Sequence, residues 1–364
     1  MKELIVRSKR IELPAFFPDA TFGCVRGVSS NDLVSSGIGG VVVNVYHLLH
    51  KGLIKEIEHK KGIHNYMEFN GLIISDSGGF QVMSLIREDS KYGEINNNGA
   101  VFIFNNKKIR LTPKKCIEMQ LKIKSDIIMC LDDCAEPELS YGEQIKSVKR
   151  TIKWAEKCKN EFDKLTKNLR QNEKPLIFAI IQGGNNLELR KKCADELIKI
   201  GFDGYAFGGW PVDKKGKFLD KILKYTCELM PNNKPKYAMG VGKPENIVKC
   251  VRFGYNMFDC VIPTREARNN RLYAFKNKLF GIGLFGLKRL DEKGKFYKYV
   301  RVRNLKHKND NEPISKNCDC YICKNFSRAQ IYQLFKGRNE QAVRLTTIHN
   351  LRFYSKLMER LQEK

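Results

Sequence analysis

Apolar residues fall along this chain in short, nearly continuous runs that end in glycine or a polar residue. Eight such runs, at 13–17, 40–45, 72–75, 127–131, 176–181, 204–207, 237–241 and 258–262, have strand length and β-branched or aromatic content. Between most of them lie helix-like segments, at 113–124, 141–165, 187–200, 218–229 and 244–253. Continuous apolar strands alternating with helices predict parallel strands buried on both faces. Eight units predict an α/β fold, a (β/α)8 or TIM barrel, with its site at the C-terminal strand ends. An open doubly wound sheet would need a glycine-rich fingerprint after the first strand, and ATFGCVRG at 20–27 does not match one.

The residues at the predicted strand ends then become the candidates for chemistry. Asn44 and His47 follow the second strand, Asp76 and Ser77 the third, and Asp132, Asp133 and Cys134 the fourth. Gln182, Gly183 and Gly184 follow the fifth, and Gly208 and Gly209 the sixth. Met239, Gly240 and Gly242 end the seventh, and Asp259 falls near the start of the eighth. Any one of them fits a turn or a helix cap. As a set they converge on one barrel face. Asp76 in DSGGFQV and Asp259 in FDCVIPTR each stand where an apolar run gives way to a turn. Two carboxylates at one barrel mouth can run a double displacement at a sugar carbon.

Composition narrows the partner. The 364 residues are 42% hydrophobic and 29% charged, enough for a sizeable core. Lys and Arg number 66 against 40 Asp and Glu, a formal charge of +26. Such a surplus suits a nucleic acid, although a lysine-rich coding bias gives the same surplus. No apolar leader and no run of about 18 apolar residues occur, so a soluble, cytoplasmic protein is expected. Of twelve cysteines, nine are scattered, mostly in apolar runs, and read as buried thiols. The other three lie in CDCYIC. Cys318, Cys320 and Cys323, with His349 downstream, make a closed Cys3His set of the structural zinc kind, a redox-active cluster being the alternative. The metal would tie an insertion at 273–347 to a final helix beginning at His349, on a barrel formed by 1–272 and 348–364.

At this point the motifs become recognisable. DSGGFQV, LDDC, IIQGG, GFDGYAFGG, YAMGVGKPENI, MFDCVIPTR and the CxCx2C…H set occur in the order seen in tRNA-guanine transglycosylases. The chain resembles that family from PAFFPDATFG to the last helix. The resemblance implies a TIM barrel with a zinc-binding subdomain, working as a homodimer, that exchanges guanine at the tRNA wobble position for a 7-deazaguanine base. Asp259 would be the nucleophile and Asp76 the general acid/base. Asp132, Gln182 and Gly209 would read the base edge, with Gly208, Ser77 and Cys134 lining the pocket and Phe80 and Met239 sandwiching the ring. Arg265, Arg268 and Arg271 would meet the anticodon.

Two strings depart from the family pattern. GGWPVDK, Gly208 to Lys214, stands where bacterial members read GGLAVGE, which makes Trp210, Asp213 and Lys214 the candidate specificity residues. Lys214 replaces an acid and would repel a cationic aminomethyl group. PTREARNN stands for PTRNxRNG, with Glu266 and Asn270 in a loop expected at the RNA. The incoming base is left open among the aminomethyl pre-queuosine base, its cyano precursor and queuine. Competing readings are a non-catalytic tRNA-binding subunit, a DNA deazaguanine transglycosylase, and a metal-dependent hydrolase using His47 and His50.

Overall fold

The computed structural model describes residues 1–104, 107–276 and 296–363. Eight parallel strands form one sheet: β1 (Ala15–Pro18), β2 (Gly40–Asn44), β3 (Leu72–Asp76), β4 (Ile127–Met129), β5 (Leu176–Ile181), β6 (Gly204–Phe207), β7 (Lys236–Ala238) and β8 (Met257–Cys260). Their order is β1-β8-β7-β6-β5-β4-β3-β2, so β1 and β2 are the two ends. A parallel bridge between Asp19 and Val42, with the Ala20 N–H donating to the Val42 carbonyl at 2.7 Å, brings those ends together. The result is a (β/α)8 barrel. The predicted strands at 176–181 and 204–207 coincide with the observed ones, and the rest shift by a few residues at their ends. The eighth moves most usefully. It starts at Met257 and stops at Cys260, because Pro263 opens the helix Ile262–Arg268. Asp259 therefore sits at the C-terminal end of its strand rather than near its start.

Side-chain alternation builds the site. Ala15, Phe17, Val42, Leu72, Ile74, Ile127, Met129, Phe178, Ile180, Ala206, Tyr237 and Met257 pack together inside the barrel. An antiparallel hairpin, Glu3–Val6 with Lys9–Glu12, contributes Leu4 and Val6 to the same cluster and closes the N-terminal end. Two residues beyond the last inward position lie Asp19, Asn44, Asp76, Gln182, Gly208, Met239 and Asp259. Strand period 2 thus sends all seven toward the C-terminal mouth.

The C-terminal part has a core of its own. Leu272, Ala274, Val300, Val302, Ile314, Ile322, Ile331, Leu345 and Ile348 cluster with Cys320. Strand Arg271–Phe275 pairs antiparallel with Tyr297–Arg301, and residues 277–295 of the expected insertion lie outside the described residues. The last helix begins earlier than expected, running Gln341–Gln362, so His349 sits in its middle and the expected boundary at 347 falls within it. Its amphipathic spacing continues upstream through Leu345 and Ala342, which are buried. Tyr354 on this helix packs on Phe16 at 4.6 Å and donates to the Gly242 carbonyl at 2.6 Å, docking it on the barrel.

Candidate active site

A cavity of about 510 Å3 opens at the C-terminal strand ends, within the usual range for small-molecule sites of about 300–1,000 Å3. Asp19, Asp76, Asp132 and Asp259 all line it, with Phe80, Gln81, Cys134, Gln182, Gly208, Gly209, Trp210, Pro211 and Met239. Four carboxylates therefore share one opening in a chain of net charge +26.

Each acid is held differently. Asp76 Oδ2 accepts from Asn44 Nδ2 at 2.6 Å, and the same amide donates to Gln81 Oε1 at 3.0 Å. Burial pushes the Asp76 carboxyl up to about 7, helped by the neighbouring Asp259 charge and opposed by bonds from Asn44 and the Ser77 and Gly78 N–H groups. Asp259 Oδ1 accepts from the Gly240 N–H at 2.9 Å, and Tyr237, buried in the barrel, donates to the same carboxylate. Burial raises Asp259 to about 6, and those two donors hold it below Asp76. Asp132 accepts from Gln182 Nε2 at 2.6 Å, and burial raises it to about 7. At neutral pH Asp259 is mostly ionised, while Asp76 and Asp132 are poised between forms. The Cys134 thiol is pushed upward by burial and stays neutral.

The adjacent acids of LDDC divide their work. Asp133 points away from the cavity, pairing with Arg87 and with Arg150 Nε at 2.6 Å. Arg87 lies on the helix Gly79–Glu88 and Arg150 on Tyr141–Thr166, so Asp133 anchors both helices to the end of β4. That buried network fixes the direction of Asp132 next to it. Gly208 is required by packing: an added Cβ would meet Gln182 Nε2 at 2.4 Å and Ile180 Cγ2 at 2.5 Å. Gly209 has φ +104°, a conformation side chains disfavour.

Among the other expected residues, Phe80 is 40% exposed and its ring stands 5.2 Å from Trp210, tilted by 57°. Ser77 does not line the cavity. It is buried, and its hydroxyl accepts from the Gly79 N–H at 3.1 Å, shaping the turn after β3. Asp213 and Lys214 also stay out of the cavity. Asp213 Oδ1 accepts from the N–H groups of Lys215 and Lys217 at 2.9 and 2.8 Å, which folds that loop back on itself. Lys214 is thereby turned outward, 3.7 Å from Glu138. Lys214 is thus placed beside Glu138, away from the residues that line the cavity. Arg265 is exposed and Arg268 half-buried near Asp19, whereas Arg271 donates to Glu266 at 2.7 Å. Glu266 is therefore the internal partner of Arg271, not a group facing outward from the loop.

The metal-ligand set comes together. Cys318, Cys320, Cys323 and His349 place one ligand atom each within 4.8 Å of one another, the one such group among the described residues. The three sulfurs lie 3.8, 3.4 and 3.3 Å from His349 Nδ1. His349 Nε2 donates to the Tyr273 carbonyl at 2.7 Å, which leaves the Nδ1 lone pair facing the sulfurs. The Cys323 N–H also donates to Cys320 Sγ, which suits a thiolate. The donor set fits one tetrahedral zinc ion with no open position, so the metal holds structure. Next to His349, Asn350 accepts from the Tyr273 N–H at 3.1 Å and donates to the Pro263 carbonyl at 3.0 Å. The metal-binding helix is thus tied to the helix that follows Asp259.

A family model described as queuine tRNA-ribosyltransferase matches residues 1–364. The chain belongs to the queuine tRNA-ribosyltransferase family. It is 38% identical over 355 residues to the queuine tRNA-ribosyltransferase of Actinobacillus pleuropneumoniae serotype 3 (strain JL03), covering 97% of this chain and 85% of that one. It is 38% identical over 362 residues to the protein of the same name from Blochmanniella pennsylvanica (strain BPEN), covering 99% and 90%. With that of Shewanella sediminis (strain HAW-EB3) it shares 39% over 364 residues, covering 99% and 88%.

Within this family member, three site residues escaped sequence reasoning and a fourth was named without a role. Asp19 lies past the predicted end of the first strand, and only the alternation from Phe17 would have found it. Asn44 stood at a strand end without a role, since its bond to Asp76 is a cross-strand pairing between β2 and β3. Tyr237, at the start of a predicted strand, and Gln81, inside DSGGFQV, were not singled out. No helix among the described residues is long and apolar enough to cross a membrane.

Proposed function

We propose that this protein is a tRNA-guanine transglycosylase, exchanging guanine at the wobble position for a 7-deazaguanine base of the queuosine type. The observation that carries this is the pair of differently tuned carboxylates, Asp259 and Asp76, in one cavity with a base-reading pair, Asp132 and Gln182. Ionised Asp259 attacks the ribose C1′, and the C1′–N9 bond breaks with its electron pair passing to guanine. Protonated Asp76, near 7, supplies the proton on which guanine leaves. The incoming base then gives its N9 proton to the Asp76 carboxylate, attacks C1′ from the vacated face, and releases Asp259. Two inversions leave the β-configuration unchanged.

Base reading follows from donors and acceptors. Asp132 accepts from the N–H and amino groups of guanine, and those donors favour its ionised form. The Gln182 amide and the Gly209 N–H face the carbonyl oxygen. Phe80 and Trp210 on one side and Met239 on the other suit a flat ring. The relatives' name specifies queuine. With Lys214 outside the cavity, the aminomethyl and cyano bases meet no cation there either. Arg265 and Arg268 approach the anticodon backbone. Zinc at Cys318, Cys320, Cys323 and His349 stabilises the insertion at 273–347 on the barrel. The protein acts in the cytoplasm, where its tRNA is, as a homodimer. All three acids being present weighs against a non-catalytic subunit.

The test is release of labelled guanine from the tRNA wobble position, with each candidate base offered in turn. Guanine release by wild type and none by Asp259→Ala is expected. No release with any base sinks the enzyme reading, and release by Asp259→Ala sinks the nucleophile.

A further inference from the structure

A buried cation lies behind the base pocket without an acid to balance it. Arg190, on the helix Leu187–Ile200, is 1% exposed. Its Nη1 donates to the Ile181 carbonyl at 2.7 Å and its Nε to the Gly184 carbonyl at 3.0 Å. The guanidinium carbon stands 4.4 Å from the centroid of the Phe207 ring. Phe207 is fully buried, on β6 between the inward positions Ala206 and Gly208, and it is among the residues lining the cavity. Nη2 reaches the back of Gly209, where an added Cβ would lie 3.3 Å away. No described carboxylate forms an ion pair with Arg190, and the titratable groups that face it are Tyr255, Cys193 and Cys134. Burial pulls the guanidinium down to about 10, still charged at neutral pH.

That charge is costly. Taking an unpaired cation out of water is strongly unfavourable even after relaxation. The two carbonyls and the face of the Phe207 ring offset part of that cost, and no ion pair with a described carboxylate offsets the rest. The cavity wall in front of it, formed by Phe207, Gly209 and Gln182, is where the carbonyl oxygen of the base lies on the reading above. We infer that Arg190 is a positioning residue for charge, stabilising through the Phe207–Gly209 wall the negative charge that gathers on the departing base. This inference rests on the guanine-exchange reading. As C1′–N9 lengthens, its electron pair enters the purine and is shared with the carbonyl oxygen, until Asp76 delivers its proton. A fixed cation in a dry wall favours that moment without reorganising. Microscopic reversibility gives the same benefit to the incoming base as it loses its N9 proton.

The test compares Arg190→Gln, which stays polar and loses charge, with Arg190→Lys, which keeps charge. The readouts are single-turnover guanine release, KM for tRNA, and exchange with incoming bases of graded acidity. Arg190→Gln should lower the chemical rate about 100-fold, the scale of losing one electrostatic stabiliser, with KM for tRNA within threefold. Arg190→Lys should recover at least tenfold of that loss. The deficit of Arg190→Gln should shrink as the incoming base becomes more acidic, because a better anion needs less help. Equal loss in both variants, or a deficit independent of base acidity, overturns the inference. Should neither variant fold, wild type still decides. Its rate should change less than twofold per tenfold change in base acidity, and a tenfold change overturns the inference. Wild type that releases no guanine refutes the functional reading itself. Active wild type with an unaffected Arg190→Gln refutes only this inference.

Discussion

Asp76→Asn should make the protein more stable at high pH while abolishing turnover. Folding raises the Asp76 carboxyl from 3.8 to about 7. A group whose folded pKa is raised stabilises the fold fully below its unfolded pKa and loses that contribution as pH rises through the folded value. At about 1.4 kcal/mol per pH unit, ionising Asp76 in its native place costs up to about 4 kcal/mol above pH 7. Access of water through the cavity mouth reduces this to about 2–4 kcal/mol. Asparagine carries no charge at any of these pH values. It also turns an NH2 toward donors that the carboxylate accepted from, costing about 1 kcal/mol at all pH values. The pH-dependent part is therefore the clean quantity.

Relative to wild type, Asp76→Asn should gain about 2–4 kcal/mol between pH 4 and pH 8, or about 3–5 °C in Tm for a chain of this size. Most of the gain falls between pH 4 and 7. Urea and thermal melts of both proteins, zinc-loaded, at half-unit steps across that range give the curve. The same variant should lose at least about 100-fold in guanine release, the usual size of a general acid/base contribution. A stability difference flat in pH would refute the claim that Asp76 is desolvated against its charge. A variant that keeps full activity would refute its part in proton transfer.

Further outcomes follow from the same geometry. The rate of guanine release should fall below about pH 6 as Asp259 takes up a proton, and fall above about pH 7 as Asp76 loses its own, giving a bell in a pH–rate profile. Metal analysis should find one zinc per chain, and Cys320→Ser should lose it and about 4 kcal/mol of stability in urea melts. Arg265→Ala should weaken tRNA binding and lower the slope of log K against log salt by about 1, as for loss of one phosphate contact. Trp210→Ala should raise KM for the incoming base with a loss of about 1 kcal/mol or more. Lys214→Ala should alter relative kcat/KM among bases less than twofold, because its ammonium faces Glu138.

The barrel was legible because its strands are buried on both faces, so each is a compact apolar run. Once strand positions are known, period 2 carries the reading from Phe17 to Asp19 and from Tyr237 to Met239. Asp132 escapes that rule, since β4 ends at Met129 and the chain breaks step before the acid. Its motif, not its phase, singled it out. The hairpin at 3–12 and the small three-stranded sheet between 93 and 111 were not predicted. Most of their strands are four or five residues long and carry charge, and the apolar run GAVFIF at 99–104 was passed over. The orientation of Lys214 is set by its loop and was not legible from its position in the motif. A loop whose own carboxylate binds its backbone can turn a neighbouring side chain through to the outside, and only Asp213 and Glu138 in place reveal it. Arg190 is the reverse case. On a helix among lysines it looks like a solvated cation, and its burial comes from a carbonyl pair and a ring contributed by β5, the loop after it, and β6.

The charge distribution then resolves into two scales. The surplus of 26 positive charges acts over the surface and draws a polyanion from solution. Inside about 10 Å, the Debye length at 0.1 M salt, local groups decide what enters. There the cavity presents Asp19, Asp76, Asp132 and Asp259, which repel phosphate and admit the uncharged part of a nucleotide. Arginines on the helix after Asp259 stand just outside that acidic opening. A backbone held at the arginines, with its base and ribose pushed past them, puts C1′ in reach of Asp259. On the proposed reading, the carboxylates that sort phosphate from base are also those that carry out the exchange.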